Sequence, residues 1–260
     1  QALKILDTEG LTEEMAANRA AYLLHKERLT SYRNRVYLPT AARAEQRLAE
    51  RIYRLQNSSK PHHYGDLAED ILELEKKLRL TLNEEQKLAV TTAMTAPISI
   101  ITGGPGTGKT LIQRAFLELY RSKNPSGEIM CCAPTGRAAR RMEESTGVSA
   151  TTIHKALGLI AGEDGNYCEP EQLEADLILV DEVSMMDIYL AGHLLYSIPQ
   201  GSQLVLIGDV DQLPSVGPGA VLKSLIDCGK IPVVRLEKVY RQALGSRIAT
   251  NAKLIRSGNL

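Results

Sequence analysis

The chain has 260 residues, 43% of them apolar and 24% charged, which suits one or two globular domains with a sizeable core. Its 31 basic residues balance 31 acidic ones, so a uniformly basic nucleic-acid binder is excluded but a local patch is not. No apolar run approaches the length of a transmembrane helix, and QALKILDTEG at the start lacks the basic and apolar regions of a signal peptide, so no membrane contact and a cytoplasmic setting are expected.

In residues 1–80, apolar spacings of three and four over Thr12 to about Glu27, Ala41 to about Asn57 and Leu67 to about Leu78 predict three helices. Between the first two, RLTSYRNRVYL (Arg28 to Leu38) reads as a hairpin turning at Arg33 and Asn34. Helix, hairpin and helix in that order suggest a winged-helix remnant. Arg28, Arg33, Arg35, Arg43, Arg47, Arg51, Arg54 and Lys60 stand against only Glu45 and Glu50 in this stretch; that is a local basic patch of the kind that meets nucleic acid, with a solvated helix face the blander reading by composition. NSSKPHHYG (Asn57 to Gly65) is a polar turn cluster and a hinge candidate, placing a mainly helical N-terminal segment at 1–80 and a second unit at 81–260.

From Thr81 the pattern changes. Short apolar strands at Ile98–Thr102, Ile129–Ala133, Leu177–Val180, Gln203–Ile207 and Ile231–Leu236 alternate with helical stretches. That alternation predicts an α/β domain, a mostly parallel sheet flanked by helices, with ligands at the carboxyl ends of its strands. AGEDGNYCEPEQL (Ala161 to Leu173) reads as a surface loop. The cysteines Cys131, Cys132, Cys168 and Cys228 form no CxxC pair, so zinc ligation is not expected; Cys131 and Cys132, in a buried strand, read as small hydrophobes.

The chemistry concentrates at strand ends. GGPGTGKT, Gly103 to Thr110, follows the run ISIIT and opens a helix to about Tyr120, the setting of a G-x-x-x-x-G-K-[ST] phosphate loop. Gly104, Gly106 and Gly108 permit positive φ, so that the loop Gly104, Pro105, Gly106, Thr107 and Gly108 can wrap an anion and point its backbone N–H groups at the phosphate oxygens. Lys109 supplies charge for β- and γ-phosphates, and Thr110 a hydroxyl for Mg²⁺. LILVDEVSMMD ends an apolar strand in Asp181 and Glu182, which beside a phosphate loop can hold Mg²⁺ and polarise an attacking water respectively. In LVLIGDVDQLPSVGPG, the Gln212 amide can accept from water while donating to a phosphate oxygen; it could equally satisfy turn backbone.

GGPGTGKT, APTGRAARRM, TTIHKALG, LVDEVSMMD, GDVDQLPSVGPG and LEKVYRQA occur in the order of superfamily 1 helicases, and in wording they resemble the RecD/TraA-like branch, related to the exonuclease V alpha subunit. The resemblance covers about Thr81 to Leu260. VYLP and AEQRLAERIYRL also resemble the segment that precedes the motor in that family. It implies a RecA-like P-loop NTPase fold, ATP and Mg²⁺ as cofactors, single-stranded DNA as partner, 5′-to-3′ polarity, and other helicase–nuclease subunits as possible associates. By the same resemblance Gln86 in LTLNEEQKLAV reads the adenine edge, although Asn83 and Gln86 also form a helix capping-box pattern. Arg241 in VYRQ matches an arginine that reaches the γ-phosphate, and by sequence alone could be a surface ion pair. Thr135, Arg137, Thr152 and His154 match motifs that meet single-stranded DNA, with a packed histidine the other reading of His154; Arg140 and Arg141 read as a solvated helix face.

The same resemblance implies a second motor domain that completes the ATP site. The 260 residues end before it would begin, so unwinding by them alone is not expected. A conjugative relaxase–helicase motor and a non-catalytic DNA-binding or docking module are the alternative readings.

Overall fold

The computed structural model describes residues 12–32, 35–58, 64–159 and 170–238. Helix α1 (Glu13–His25) begins where the Thr12 hydroxyl accepts from the Met15 N–H, with Glu13 and Glu14 at the positive end of the dipole. None of its residues is buried: its apolar stripe is largely alanine, which removes little area from water. Strands β1 (Thr30–Tyr32) and β2 (Arg35–Tyr37) pair antiparallel with Ser31 opposite Val36; the expected turn residues Arg33 and Asn34 lie outside the described residues. Helix α2 (Pro39–Ser58) opens on proline, tolerated where no intrahelical N–H bond is due, and buries Leu48, Ile52 and Leu55 along one face. Helix α3 (Leu67–Leu78) is capped by Asp66, whose carboxylate accepts from the Ala68 and Glu69 N–H groups. Helix α4 (Glu84–Thr95) is capped by Asn83 and Gln86 reciprocally.

Six strands form the main sheet: β3 (Ile98–Gly103), β4 (Ile129–Ala133), β5 (Ala150–Thr152), β6 (Leu177–Val180), β7 (Gln203–Gly208) and β8 (Val233–Leu236). Their order is β5-β4-β6-β7-β3-β8, and every neighbouring pair is parallel. Residues of β6 and β7 are buried throughout, which is why LILV and QLVLIG read as continuous apolar runs rather than alternations. Helices α5 (Lys109–Lys123), α6 (Gly136–Thr146), α7 (Ile153–Ala156), α8 (Ile188–Ser197) and α9 (Val221–Asp227) connect the strands. Two sequence expectations shift. β5 went unanticipated because its three residues, ATT, carry no apolar run. β8 starts at Val233, not Ile231: Pro232 accepts from the Ile100 N–H but has no N–H to return.

Each face of the sheet carries a core. On one, Leu48, Ile52 and Leu55 of α2 join Leu194 of α8 and Leu222 of α9 over Ile178, Val180, Leu204 and Leu206. On the other, Leu74, Val90, Met94, Ile112 and Phe116 from α3, α4 and α5 cover Leu177, Leu179, Val205 and Ile207. Residues before Thr81 therefore pack on both faces of the sheet. Arg51 fastens α2 to the end of α8, its Nε donating to the Leu195 carbonyl at 2.8 Å and its terminal nitrogen to the Ile198 carbonyl. The buried Gln203 amide does the same for α4, donating to the carbonyls of Ala93, Met94 and Ala96 at 2.6, 3.1 and 2.9 Å. Cys131 and Cys132 are buried, and burial raises both thiols, Cys131 to about 12. Among the described residues no helix is long and apolar enough to cross a membrane.

Candidate active site

Because all six strands run the same way, their carboxyl ends share one edge, where the chain leaves β3 as the loop Gly103–Gly108. Gly106 and Gly108 take φ of 75° and 91°, so the loop folds where a side chain would be strained. Gly103 is glycine for space: a Cβ there would lie 2.8 Å from both Leu236 Cβ and Thr107 Oγ1. Thr107 Oγ1 donates to the Gly104 carbonyl at 2.9 Å, and the fully buried Gln86 donates from Nε2 to the Thr107 carbonyl at 3.2 Å. Gln86 Oε1 meanwhile accepts from the Asn83 N–H at 3.0 Å, completing the capping box. The amide thus anchors the loop to α4.

Helix α5 starts at the end of this loop. Its N-cap is Gly108, and no side chain caps it, whereas Thr12, Asp66, Asn83, Thr135, Thr152 and Asp187 cap other helices. The first-turn N–H groups of a 15-residue helix are thereby presented, with the positive dipole end, to whatever sits in the loop. Lys109 Nζ bends over the loop, donating to the Gly103 and Gly104 carbonyls at 2.6 and 3.0 Å. Glycine cradle, uncapped helix start and an ammonium on the same loop fit a polyphosphate anion.

β7 lies between β3 and β6, so Asp181 and Glu182 are not on the strand next to the loop. They reach it because β7 ends in Gly208, where a Cβ would lie 2.9 Å from Leu222 Cδ2 and 3.3 Å from the Val183 and Ser184 N–H nitrogens. That closeness lets the segment after β6 fold over β7. Lys109, Thr110, Asp181, Glu182 and Gln212 all line one cleft of about 170 Å³, together with Gln113, Arg141 and Asp209. Asp181 accepts the Glu182 N–H at 2.8 Å. Glu182 itself sits at φ 53°, a left-handed conformation that costs a non-glycine residue about 1–2 kcal/mol. Its carboxyl is pushed above the ordinary range by burial first and by Asp181 second, and pulled back by Arg141, Lys109 and Arg137.

Gln212 is held by the turn that begins at the buried Asp209, whose Oδ1 accepts the Asp211 N–H at 3.1 Å and whose carbonyl accepts the Gln212 N–H at 3.2 Å. The Gln212 Oε1 lies 3.5 Å from Ser184 Oγ, and the Val210 N–H reaches Thr102 Oγ1 at 3.3 Å, tying this turn to β3. Among the described residues no three His, Cys, Asp or Glu side chains gather as a metal cage. A magnesium ion held through Thr110, one carboxylate and substrate phosphates needs no cage, so the donor set fits.

Thr135, Arg137, Thr152 and His154 stand at or just after the ends of β4 and β5, along the same edge. Thr135 caps α6 by accepting from Ala138, and Thr152 caps α7 by accepting from Lys155, each at 3.2 Å. Arg137 is exposed and His154 is half-buried. Arg241 lies outside the described residues. Sequence reasoning missed three cleft residues. Arg141 is exposed as expected of a solvated face, but it stands over the cleft; its spacing of four from Arg137 puts both on the side of α6 that faces Glu182. Asp209 and Gln113 are buried polar residues, 2% and 1% exposed, in stretches otherwise read for their apolar pattern.

A family model described as an AAA domain matches residues 86–218. The ATP-dependent RecD2 DNA helicase of Deinococcus radiodurans is 41% identical over 212 residues, which are 80% of this chain and 28% of that protein. The RecBCD enzyme subunit RecD of Mycobacterium tuberculosis is 32% identical over 272 aligned residues, 94% of this chain and 46% of that subunit. The chain thus spans less than half the length of these relatives. Among solved structures, the Pif1 helicase of Candida albicans aligns over 70% of this chain and 45% of its own, at 26% identity and a TM-score of 0.50. The chain belongs to the AAA-domain family, and its sequence resembles the RecD-like superfamily 1 DNA helicases.

Proposed function

We propose that this chain is the first RecA-like motor domain, residues 81–260, and the attached N-terminal segment, residues 1–80, of an ATP-dependent DNA helicase that moves 5′-to-3′ along single-stranded DNA. The observation that carries this reading is the meeting of Lys109, Thr110, Asp181, Glu182 and Gln212 in one cleft at the carboxyl edge of a parallel sheet. Lys109 and the first-turn N–H groups of α5 bind the β- and γ-phosphates. Thr110 and Asp181 hold Mg²⁺, which when bound neutralises phosphate charge. Glu182 takes the proton from the attacking water, and the Gln212 amide orients that water against the γ-phosphate. Arg241 adds a guanidinium to the γ-phosphate, and the Gln86 amide meets the adenine edge. Thr135, Arg137, Thr152 and His154 meet DNA phosphates beside this cleft, without reading sequence.

The relatives' names support the class of activity, and the RecBCD subunit supports assembly with other helicase–nuclease subunits as one setting. Strand displacement by the full-length protein on tailed duplexes tests the reading. ATP-dependent unwinding of the 5′-tailed substrate only is expected. Preference for a 3′ tail would overturn the polarity, and ATP-independent or absent unwinding would overturn the motor.

A further inference from the structure

The basic stretch of α2 finds no use in the cleft. Arg43, Arg47, Arg51 and Arg54 recur at spacings of four, four and three, hence along one side of the helix. That side borders a groove of about 500 Å³ between α2 and α8, on the face of the sheet opposite α5. Across it, α8 presents Tyr189, His193 and Tyr196, again at spacings of four and three. Tyr189 is 38% and Tyr196 66% exposed, and Tyr189 is steadied by its hydroxyl lying 3.4 Å from Thr40 Oγ1. Arg51 is committed to the carboxyl end of α8, whereas Arg47 is exposed and forms no ion pair among the described residues. The acids of α2 are Glu45 and Glu50, and Glu50 already takes the Gln46 amide at 2.9 Å.

One further residue bears on the groove's width. Gly192 lines it from the middle of α8, where glycine weakens a helix, and a Cβ added there would meet nothing within 4 Å. Neither a turn nor a close approach requires glycine at that point. The missing side chain leaves space between the two tyrosines.

We propose that the α2–α8 groove is an accessory binding track for single-stranded nucleic acid, separate from the residues around the ATP cleft. Bases stack on Tyr189 and Tyr196, and the guanidinium of Arg47 meets the adjoining phosphates. Exposed aromatic faces beside a cation with no ion pair among the described residues are the chemistry that holds a single strand without sequence preference. The track rests on single-stranded DNA being the partner, and it would keep hold of strand on the N-terminal side of the motor.

Fluorescence anisotropy with a labelled oligo-dT tests it on the whole chain, using Gly192→Leu to plug the groove and Arg47→Ala/Tyr196→Ala to remove its recognition groups. Each is expected to weaken binding at least about fivefold, the loss of roughly one stacked base, with ATP-analogue affinity unchanged and thermal melting not lowered. A 5-iodouridine-substituted strand should photocross-link to Tyr189 or Tyr196. Wild-type affinity in both variants, with cross-links elsewhere, overturns the track and leaves the cleft-side DNA reading intact. No oligonucleotide binding by the wild type overturns both. Displacement of the strand by nothing but excess salt supports the track, whereas saturable binding of polyglutamate in its place assigns the groove to an acidic protein segment and overturns it.

Discussion

Glu182 combines a left-handed backbone, a carboxyl raised by burial and by Asp181, and a place in the cleft beside Lys109. If it is the base, Glu182→Gln keeps the shape and acceptor oxygen but cannot take a proton. Its ATP affinity should stay near wild type while turnover in the full-length protein falls about 10²- to 10⁴-fold; a fall in affinity with turnover per bound ATP preserved would assign it to binding instead. Gln86 separates two roles that sequence left superposed. As a buried cap and loop anchor, its removal in Gln86→Ala leaves the Asn83 N–H and the Thr107 carbonyl without partners and should cost about 1–3 kcal/mol, read as a lower urea midpoint. Contact with adenine adds a second consequence, a lost preference for ATP over GTP. Unchanged discrimination together with lowered stability would leave only the structural role. The capping-box pattern was legible in Asn83 and Gln86, but the bond to Thr107 was not, because it spans 21 residues.

At the scale of elements, the buried strands and the phosphate-loop helix were legible because their signals are local: continuous apolar runs bounded by glycine and polar residues. What the sequence could not show is how elements far apart in the chain meet. The stripe of Leu48, Ile52 and Leu55 announces a face of α2, yet only the fold shows that this face covers the sheet beside α8. The join depends on Arg51, which supplies charged hydrogen bonds to two carbonyls at the end of α8. Arg51→Ala should therefore destabilise by about 2 kcal/mol or more, seen as a lower urea midpoint at unchanged m-value. A midpoint equal to wild type would mean that apolar packing alone holds α2. Arg141 is exposed, as its place in GRAARRM predicts, but its second role over the cleft was not legible, because that cleft is built by β6 and α5.

Across the whole molecule, zero net charge sets the expected character of DNA binding: a few local phosphate contacts and no broad electrostatic attraction. The logarithm of the affinity for a single strand should fall with the logarithm of salt concentration by about 0.7 per contacted phosphate, and should not depend on base sequence; a salt-independent or sequence-selective complex would contradict this. The parallel sheet gathers a loop from β3, two acids from β6 and a turn from β7 at a single edge, and Mg-ATP is the ligand proposed for that edge. Titration with a fluorescent ATP analogue, with and without Mg²⁺, in wild type and Lys109→Ala tests it most directly. Saturable, Mg²⁺-strengthened binding that is lost or greatly weakened in Lys109→Ala is the result expected. Binding that is indifferent to both the metal and Lys109 would contradict it.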